Sequence, residues 1–225
     1  FHLGAKVEAI EENAVVFQAG ADRQRAPWTR VLVATGRSVN VNDLGLEQTG
    51  VDFDRRGIKV DDRCATNVPG IWAVGDVTGR GWLAHSASRM GEVVVANLLG
   101  RRDRMRFDAI PSVVYTTPEV ASVGLTQAEA KARGIEVLIG KFPLQANGRF
   151  LAEHEGEKGL VKVIVEKTSR RLLGVHQIGG VCSESIWGAA AAIESELRIE
   201  EMKEIVFPHP TTSEALRDAV WGIKT

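Results

Sequence analysis

Leu160-Val161-Lys162-Val163-Ile164-Val165-Glu166 and Leu172-Leu173-Gly174-Val175-His176-Gln177-Ile178 are two strand-like runs separated by the polar stretch Lys167-Thr168-Ser169-Arg170. They read as an antiparallel β-hairpin. A further strand is predicted upstream at Val137–Phe142, and helical patterns lie on both sides. Thr126-x-x-Glu129 has the spacing of a capping box that opens a short helix, and Gly134 closes it. From Ser183, the apolar residues Ile186, Ala190, Ile193 and Leu197 recur at helical intervals. Helical turns follow over Glu200–Val206, and a last helix is expected from about Thr211 to Trp221. Strands grouped with strands and helices with helices predict an α+β domain built on an antiparallel sheet.

Nearer the start the pattern differs. Ala5–Ile10 alternates as a strand does, Ala14–Phe17 does so more weakly, and Glu11-Glu12-Asn13 is turn-like between them. Trp28–Ala34 is predicted as a third strand ending at Thr35-Gly36, and Ile71-Trp72-Ala73-Val74 as a buried strand of a parallel sheet. Leu83–Leu99 carries a helical apolar pattern stopped by Gly100, and Arg101–Arg106 is expected to be a solvated linker. The expected fold class is an α/β fragment followed by the α+β domain, divided as residues 1–36, 37–106 and 107–225.

The 225 residues are 44% hydrophobic and 25% charged, which excludes a disordered tail, a collagen-like fibre or a low-complexity linker. With 28 Lys+Arg against 29 Asp+Glu, the net charge of -1 disfavours nucleic acid or an anionic membrane as a partner. No apolar run reaches the roughly 18 residues needed to span a bilayer. Phe1-His2-Leu3-Gly4 does not resemble a secretion signal. The two cysteines, Cys64 and Cys182, are far apart and lack metal spacing, so they read as buried small hydrophobes in a reducing, cytoplasmic setting. His2, His85, His154 and His176 show no ligand spacing, and no metal site is expected.

Three places hold candidate chemistry. Gly79-Arg80-Gly81-Trp82-Leu83-Ala84 formally matches G-x-G-x-x-A, but the acidic residue expected about 20 positions later would fall in the Arg-rich stretch. These glycines therefore read as turn formers or points of close backbone approach. Gly75-Asp76 places a carboxylate just past the predicted strand, where open α/β sheets bind ligands; the alternative is a turn aspartate bonded to its own backbone. Pro208-His209-Pro210-Thr211-Thr212-Ser213-Glu214 pins a histidine in extended backbone five residues before a glutamate. A carboxylate on one ring nitrogen would fix the tautomer and leave the other nitrogen to exchange a proton. The same residues also spell a capping box, Thr211-x-x-Glu214, and that structural reading stays open on spacing alone.

Several segments, in order, resemble the C-terminal half of the pyridine nucleotide–disulphide oxidoreductases, and most of all their dihydrolipoyl dehydrogenase branch. They are Val31–Arg37, Thr66–Asp76, Leu83-Ala84-His85, Ile110–Gly124 and His209–Glu214; Phe142–Asn147 and Ala192-Ile193-Glu194 favour the lipoamide branch. The resemblance implies the end of an NAD-binding domain at 1–36, a returning segment of the FAD domain at 37–106 and a dimerisation domain at 107–225. It implies that Gly75 and Asp76 meet the ribityl chain of FAD, that Leu83, Ala84 and His85 lie against the flavin, and that Val7 and Gly36 border the NAD site. His209 would be the acid–base catalyst oriented by Glu214, with a cis His209–Pro210 bond. The implied partners are a second copy of the chain and dihydrolipoamide or a lipoyl domain of a multienzyme complex.

The family's C-x-x-x-x-C disulfide and its two G-x-G-x-x-G loops do not occur in this sequence. A fragment inactive on its own, with FAD held weakly or not at all, is therefore expected. The C-terminal Trp221–Thr225 lacks the paired cysteines of mercuric reductases. A glutathione- or mercuric-reductase-like enzyme and a non-enzymatic dimerisation module remain the alternatives.

Overall fold

The computed structural model describes residues 1–223; Lys224 and Thr225, the end of the stretch compared with mercuric reductases, lie outside the described residues. The chain divides into two compact units, Phe1–Ser38 and Val39–Thr225.

The first unit is a three-stranded antiparallel meander of β1 (Lys6–Ile10), β2 (Ala14–Ala19) and β3 (Asp22–Pro27), with β2 central. Val16 and Phe17 of β2 are buried. The first two strands match the sequence expectation, whereas the third does not. Asp-Arg-Gln-Arg-Ala-Pro has no apolar alternation and forms an edge strand by pairing with β2 across Ala14↔Pro27 to Ala19↔Asp22. A polar edge strand gives no apolar periodicity because it is held by backbone pairing and by ion pairs, here Arg23 with Glu8 at 2.9 Å and Arg25 with Glu11 at 2.6 Å. Trp28–Ala34, predicted as that strand, is irregular, and Leu32 and Val33 are exposed. A strand is stable only with neighbours to pair with, and here the hydrogen bonds stop at Trp28, whose backbone N–H donates to the Asn13 carbonyl at 3.4 Å and whose indole N–H donates to the Glu11 carbonyl at 3.0 Å.

The second unit opens with α1 (Leu46–Thr49) and a small hairpin of β4 (Phe53–Asp54) and β5 (Gly57–Ile58). The expected parallel strand at Ile71–Val74 is reduced to one antiparallel bridge, Ala65↔Trp72. Its apolar residues instead close a small cluster, with Ala73 buried beside Leu46, Val51 and Ile58. α2 (Ala84–Leu98) follows and ends at Gly100, as its sequence pattern predicts. Its Met90 and Val93 pack with Cys64 and Met105 in a second cluster. The Arg-rich stretch is thus only partly solvated: Met105 is buried and its amide donates to the Asp62 carbonyl at 2.7 Å. Asp103 pairs in two-pronged fashion with Arg89 at 2.8 and 2.6 Å.

Beyond this, β6 (Ser112–Val114), β7 (Val120–Gly124), β8 (Val137–Pro143), β9 (Leu160–Glu166) and β10 (Leu172–Ile178) form a five-stranded antiparallel sheet in the order β6-β7-β10-β9-β8. The β9–β10 hairpin is the one read from the sequence. α3 (Gln127–Ala132) begins at the expected capping box: Glu129 N–H donates to Thr126 Oγ1 at 3.1 Å, and Thr126 N–H donates to the Glu129 carboxylate at 2.7 Å. α4 (Gly148–Glu153), α5 (Cys182–Glu194), α6 (Ile199–Glu204) and α7 (Glu214–Trp221) complete the unit. α5 lies over β7 and β10, and α7 over β8 and β9. Alternation along β9 sends Val161, Val163 and Val165 into the main core with Phe150, Ile186, Ala189, Leu216 and Ala219. The packing is close enough that a Cβ on Gly140 would collide with the Ala219 carbonyl oxygen. This core seats the start of α7, where the candidate histidine pair lies.

Candidate active site

The chain leaves α6 through the exposed residues Val206, Pro208, His209 and Pro210, and the His209–Pro210 peptide is cis. α7 starts at Glu214, with Ala215 and Leu216 buried beneath it. His209 Nδ1 lies 3.0 and 3.1 Å from the two carboxylate oxygens of Glu214. The imidazole is 80% exposed while the glutamate side chain is 16% exposed. The base is thus held from below with its other ring nitrogen open. The backbone N–H of Thr211 donates to Glu214 Oε2 at 2.9 Å. That bond, followed by the one from His209, holds the Glu214 carboxyl below its ordinary value.

The capping-box reading of Thr211-x-x-Glu214 does not describe this turn. Thr211 Oγ1 donates to the Pro208 carbonyl at 2.7 Å, and the helix has Ser213 as its N-cap, with no side-chain cap bond. Glu214 serves the loop before the helix.

A second group of expected residues gathers at the start of α2. Gly75 turns with φ 75° into a single 3₁₀ turn, Gly75–Thr78, and its N–H donates to Met90 Sδ at 3.4 Å. Asp76 is exposed, and its side chain has no hydrogen bond among the described residues. Leu83 is extended and caps α2 without a side-chain bond, so the first-turn N–H groups of Ala84, His85 and Ser86 have no intrahelical partner. His85 Nε2 lies 2.8 Å from the Pro111 carbonyl oxygen. Gly79 and Gly81 are points of close approach: both have positive φ, a Cβ on Gly79 would collide with the Arg56 carbonyl oxygen, and one on Gly81 would sit 2.6 Å from Ser86 Oγ. In the first unit, Val7 lies on β1 and is half-exposed, and Gly36 has φ 92° in the irregular segment.

Cys64 and Cys182 are free and buried. Burial pushes each thiol up to about 11, helped by the Asp61 charge at Cys64 and the Glu119 charge at Cys182. Among the described residues no cluster of three His, Cys, Asp or Glu side chains is arranged to hold a metal ion, and no helix is long and apolar enough to cross a membrane.

Residues 110–220 match the sequence profile of the pyridine nucleotide-disulphide oxidoreductase dimerisation domain, and residues 1–91 match that of the pyridine nucleotide-disulphide oxidoreductases. The chain belongs to the pyridine nucleotide–disulphide oxidoreductases. Within the chain, His209 and Glu214 fall in the dimerisation-domain match, and Asp76 and Leu83–His85 in the other. The chain is similar to the dihydrolipoyl dehydrogenases of Chlamydia muridarum (40% identity, 95% of this chain and 46% of the relative), Cupriavidus necator (40%, 99% and 48%) and Pisum sativum mitochondria (42%, 97% and 45%). The chain thus spans about half the length of the curated relatives it matches. Among solved structures, it superposes on LpdA from Mycobacterium tuberculosis with a TM-score of 0.85 at 25% identity, over 96% of this chain and 48% of that one. It superposes on the HOCl-induced flavoprotein disulfide reductase RclA from Escherichia coli with a TM-score of 0.78 at 27% identity, over 98% and 51%.

Two participants escaped the sequence reading: the Thr211 amide, which anchors Glu214, and the Pro111 carbonyl beside His85. Both are backbone groups, and backbone groups carry no residue-specific signal.

Proposed function

We propose that this chain supplies the acid–base pair and the subunit interface of a flavin-dependent dihydrolipoyl dehydrogenase, which oxidises dihydrolipoamide with NAD. The observation that carries this reading is His209 Nδ1 at 3.0 Å from Glu214, with the ring exposed on its other side.

The chemistry follows from the pair. A thiol of ordinary pKa, about 8.5, is only a few per cent thiolate at neutral pH, and the thiolate is the nucleophile. Neutral His209 donates its Nδ1 hydrogen to Glu214 and presents the Nε2 lone pair to the substrate thiol. Nε2 takes the proton, and the Glu214 carboxylate steadies the imidazolium that forms. Over the whole reaction the dithiol loses two electrons and two protons; NAD⁺ accepts a hydride and one proton is released.

FAD, when bound, carries the electrons between sulfur and the pyridine nucleotide. The residues present fit such a group. Asp76 offers an exposed, unbonded carboxylate for ribityl hydroxyls, Gly75 makes the turn beside it, and the uncapped start of α2 at Leu83, Ala84 and His85 offers N–H donors to flavin carbonyls. Val7 and Gly36 are assigned to the border of the NAD site. Cys64 and Cys182 are not assigned as the redox pair, because both are free and buried in separate clusters, Cys64 under α2 and Cys182 in the main sheet core. The disulfide and the pyrophosphate loops are therefore assigned to polypeptide beyond these 225 residues, and FAD binding by this chain alone is weak.

An apolar groove of about 410 Å³ beside the histidine loop, with Trp187 70% exposed and Val206 91% exposed, fits a second copy of the chain. The other partner is dihydrolipoamide, free or on a lipoyl domain. The test is His209→Gln in a protein that joins this chain to the redox disulfide and dinucleotide loops. Lipoamide turnover is expected to fall by about 10²–10⁴-fold. Unchanged turnover refutes the acid–base role, and preference for glutathione disulfide over lipoamide refutes the substrate class.

A further inference from the structure

We propose that Asn147 is a positioning residue for the His209–Glu214 pair, its side-chain amide tying the histidine loop to the sheet's helical cover. The role rests on the acid–base reading above.

The loop has little else to hold it. Pro208, His209 and Pro210 are all exposed, so no burial of their own side chains fixes them. Asn147 is buried, at 5% exposure, although it is 64 positions away in sequence. A buried amide needs partners at both ends, and both are present. Phe150 N–H donates to Asn147 Oδ1 at 2.9 Å, capping α4. Asn147 Nδ2 donates to the Thr211 carbonyl at 3.0 Å. The partners set the orientation: an amide N–H requires the oxygen and a carbonyl requires the nitrogen, so a flipped side chain satisfies neither.

Thr211 is thereby held on both sides. Its carbonyl is held by Asn147, and its N–H is spent on Glu214 Oε2 at 2.9 Å. That carboxylate in turn receives His209. The far end of the chain is firm, because Phe150, three residues into α4, is fully buried in the main core. The relay therefore runs from the core through Asn147 and the Thr211 peptide to Glu214, and fixes where the imidazole points.

A plain structural role would make Asn147 no more than the cap of α4. Asn147→Ser separates the two, because serine caps a helix as well as asparagine does but is too short to reach Thr211. Asn147→Asp is the second variant: it keeps the acceptor and loses the donor. The 225-residue chain is labelled with ¹⁵N and ¹³C. Hydrogen exchange is measured at the Phe150 and Thr211 amides, and the Glu214 side-chain carboxyl is followed through a pH titration. In both variants Phe150 protection is expected to stay within about threefold of the parent, while Thr211 exchange rises about tenfold or more. The Glu214 midpoint is expected to move up toward the ordinary glutamate value. The proposal is overturned if Glu214 and Thr211 behave as in the parent, or if they change only together with loss of Phe150 protection, which leaves Asn147 a helix cap. These readouts need no turnover. An inert His209→Gln result would remove the catalytic reading and leave the relay standing.

Discussion

Glu214 Oε2 accepts the Thr211 amide at 2.9 Å, and the same carboxylate lies 3.0 Å from His209 Nδ1. One carboxyl group thus orients a ring and closes a backbone loop. The energetic consequence has a definite sign. The folded-state carboxyl lies below its ordinary 4.5, so the charged form is favoured on folding. Its contribution is complete above pH 4.5 and is lost as pH falls through the lower folded-state value. Glu214→Gln should cost about 1 kcal/mol near neutrality, the net scale of one intramolecular hydrogen bond. Thermal melts of the two proteins should converge in acid. A gap that persists unchanged down to pH 2 would contradict this account.

The cysteines are expected to be silent. With both thiols buried and pushed up to about 11, neither Cys64 nor Cys182 should react with a thiol reagent at pH 8 in the folded chain. Both should react after unfolding in urea. Rapid labelling of either in the native state would reopen a redox role for it.

Two glycines are expected to respond in opposite directions. At Gly79, φ is 67° and a Cβ would collide with the Arg56 carbonyl oxygen, so Gly79→Ala should destabilise by about 2–3 kcal/mol. Gly91 lies inside α2 with open space where its Cβ would go, so Gly91→Ala should stabilise by about 0.5–1 kcal/mol. Denaturant midpoints measure both. Equal and same-signed effects would show that backbone conformation does not decide the matter.

Phe150 links the sheet core to the helix that carries Asn147. It has no solvent exposure, so Phe150→Ala should cost about 3–5 kcal/mol in urea unfolding. A loss below 1 kcal/mol would mean that the site collapses freely and is a poor anchor for the histidine loop.

What was legible follows from where each signal resides. The β9–β10 hairpin, the Thr126–Glu129 box, the length of α2 and the start of α5 were readable because side-chain periodicity and capping chemistry are local, whereas the periodic pattern ran on to Leu197, past the end of α5 at Glu194. β3 was invisible, since a polar edge strand is made by its neighbour's hydrogen bonds. Trp28–Ala34 and Ile71–Val74 read as strands because apolar runs report burial preference, while strand formation needs a pairing partner. For His209 and Glu214 the sequence offered two uses for one spacing, a helix cap or an oriented base.

The amino-acid sequence by itself determined the antiparallel grammar of residues 107–225 and the proximity of His209 to Glu214 along the chain, because these depend on periodicity and short spacing. Only the tertiary structure decided that Glu214 faces the loop rather than capping its helix, and that Asn147 reaches Thr211 across 64 positions. Such bonds depend on where the core places distant backbone groups, and a carbonyl or an amide looks the same in every residue until the fold brings a partner to it.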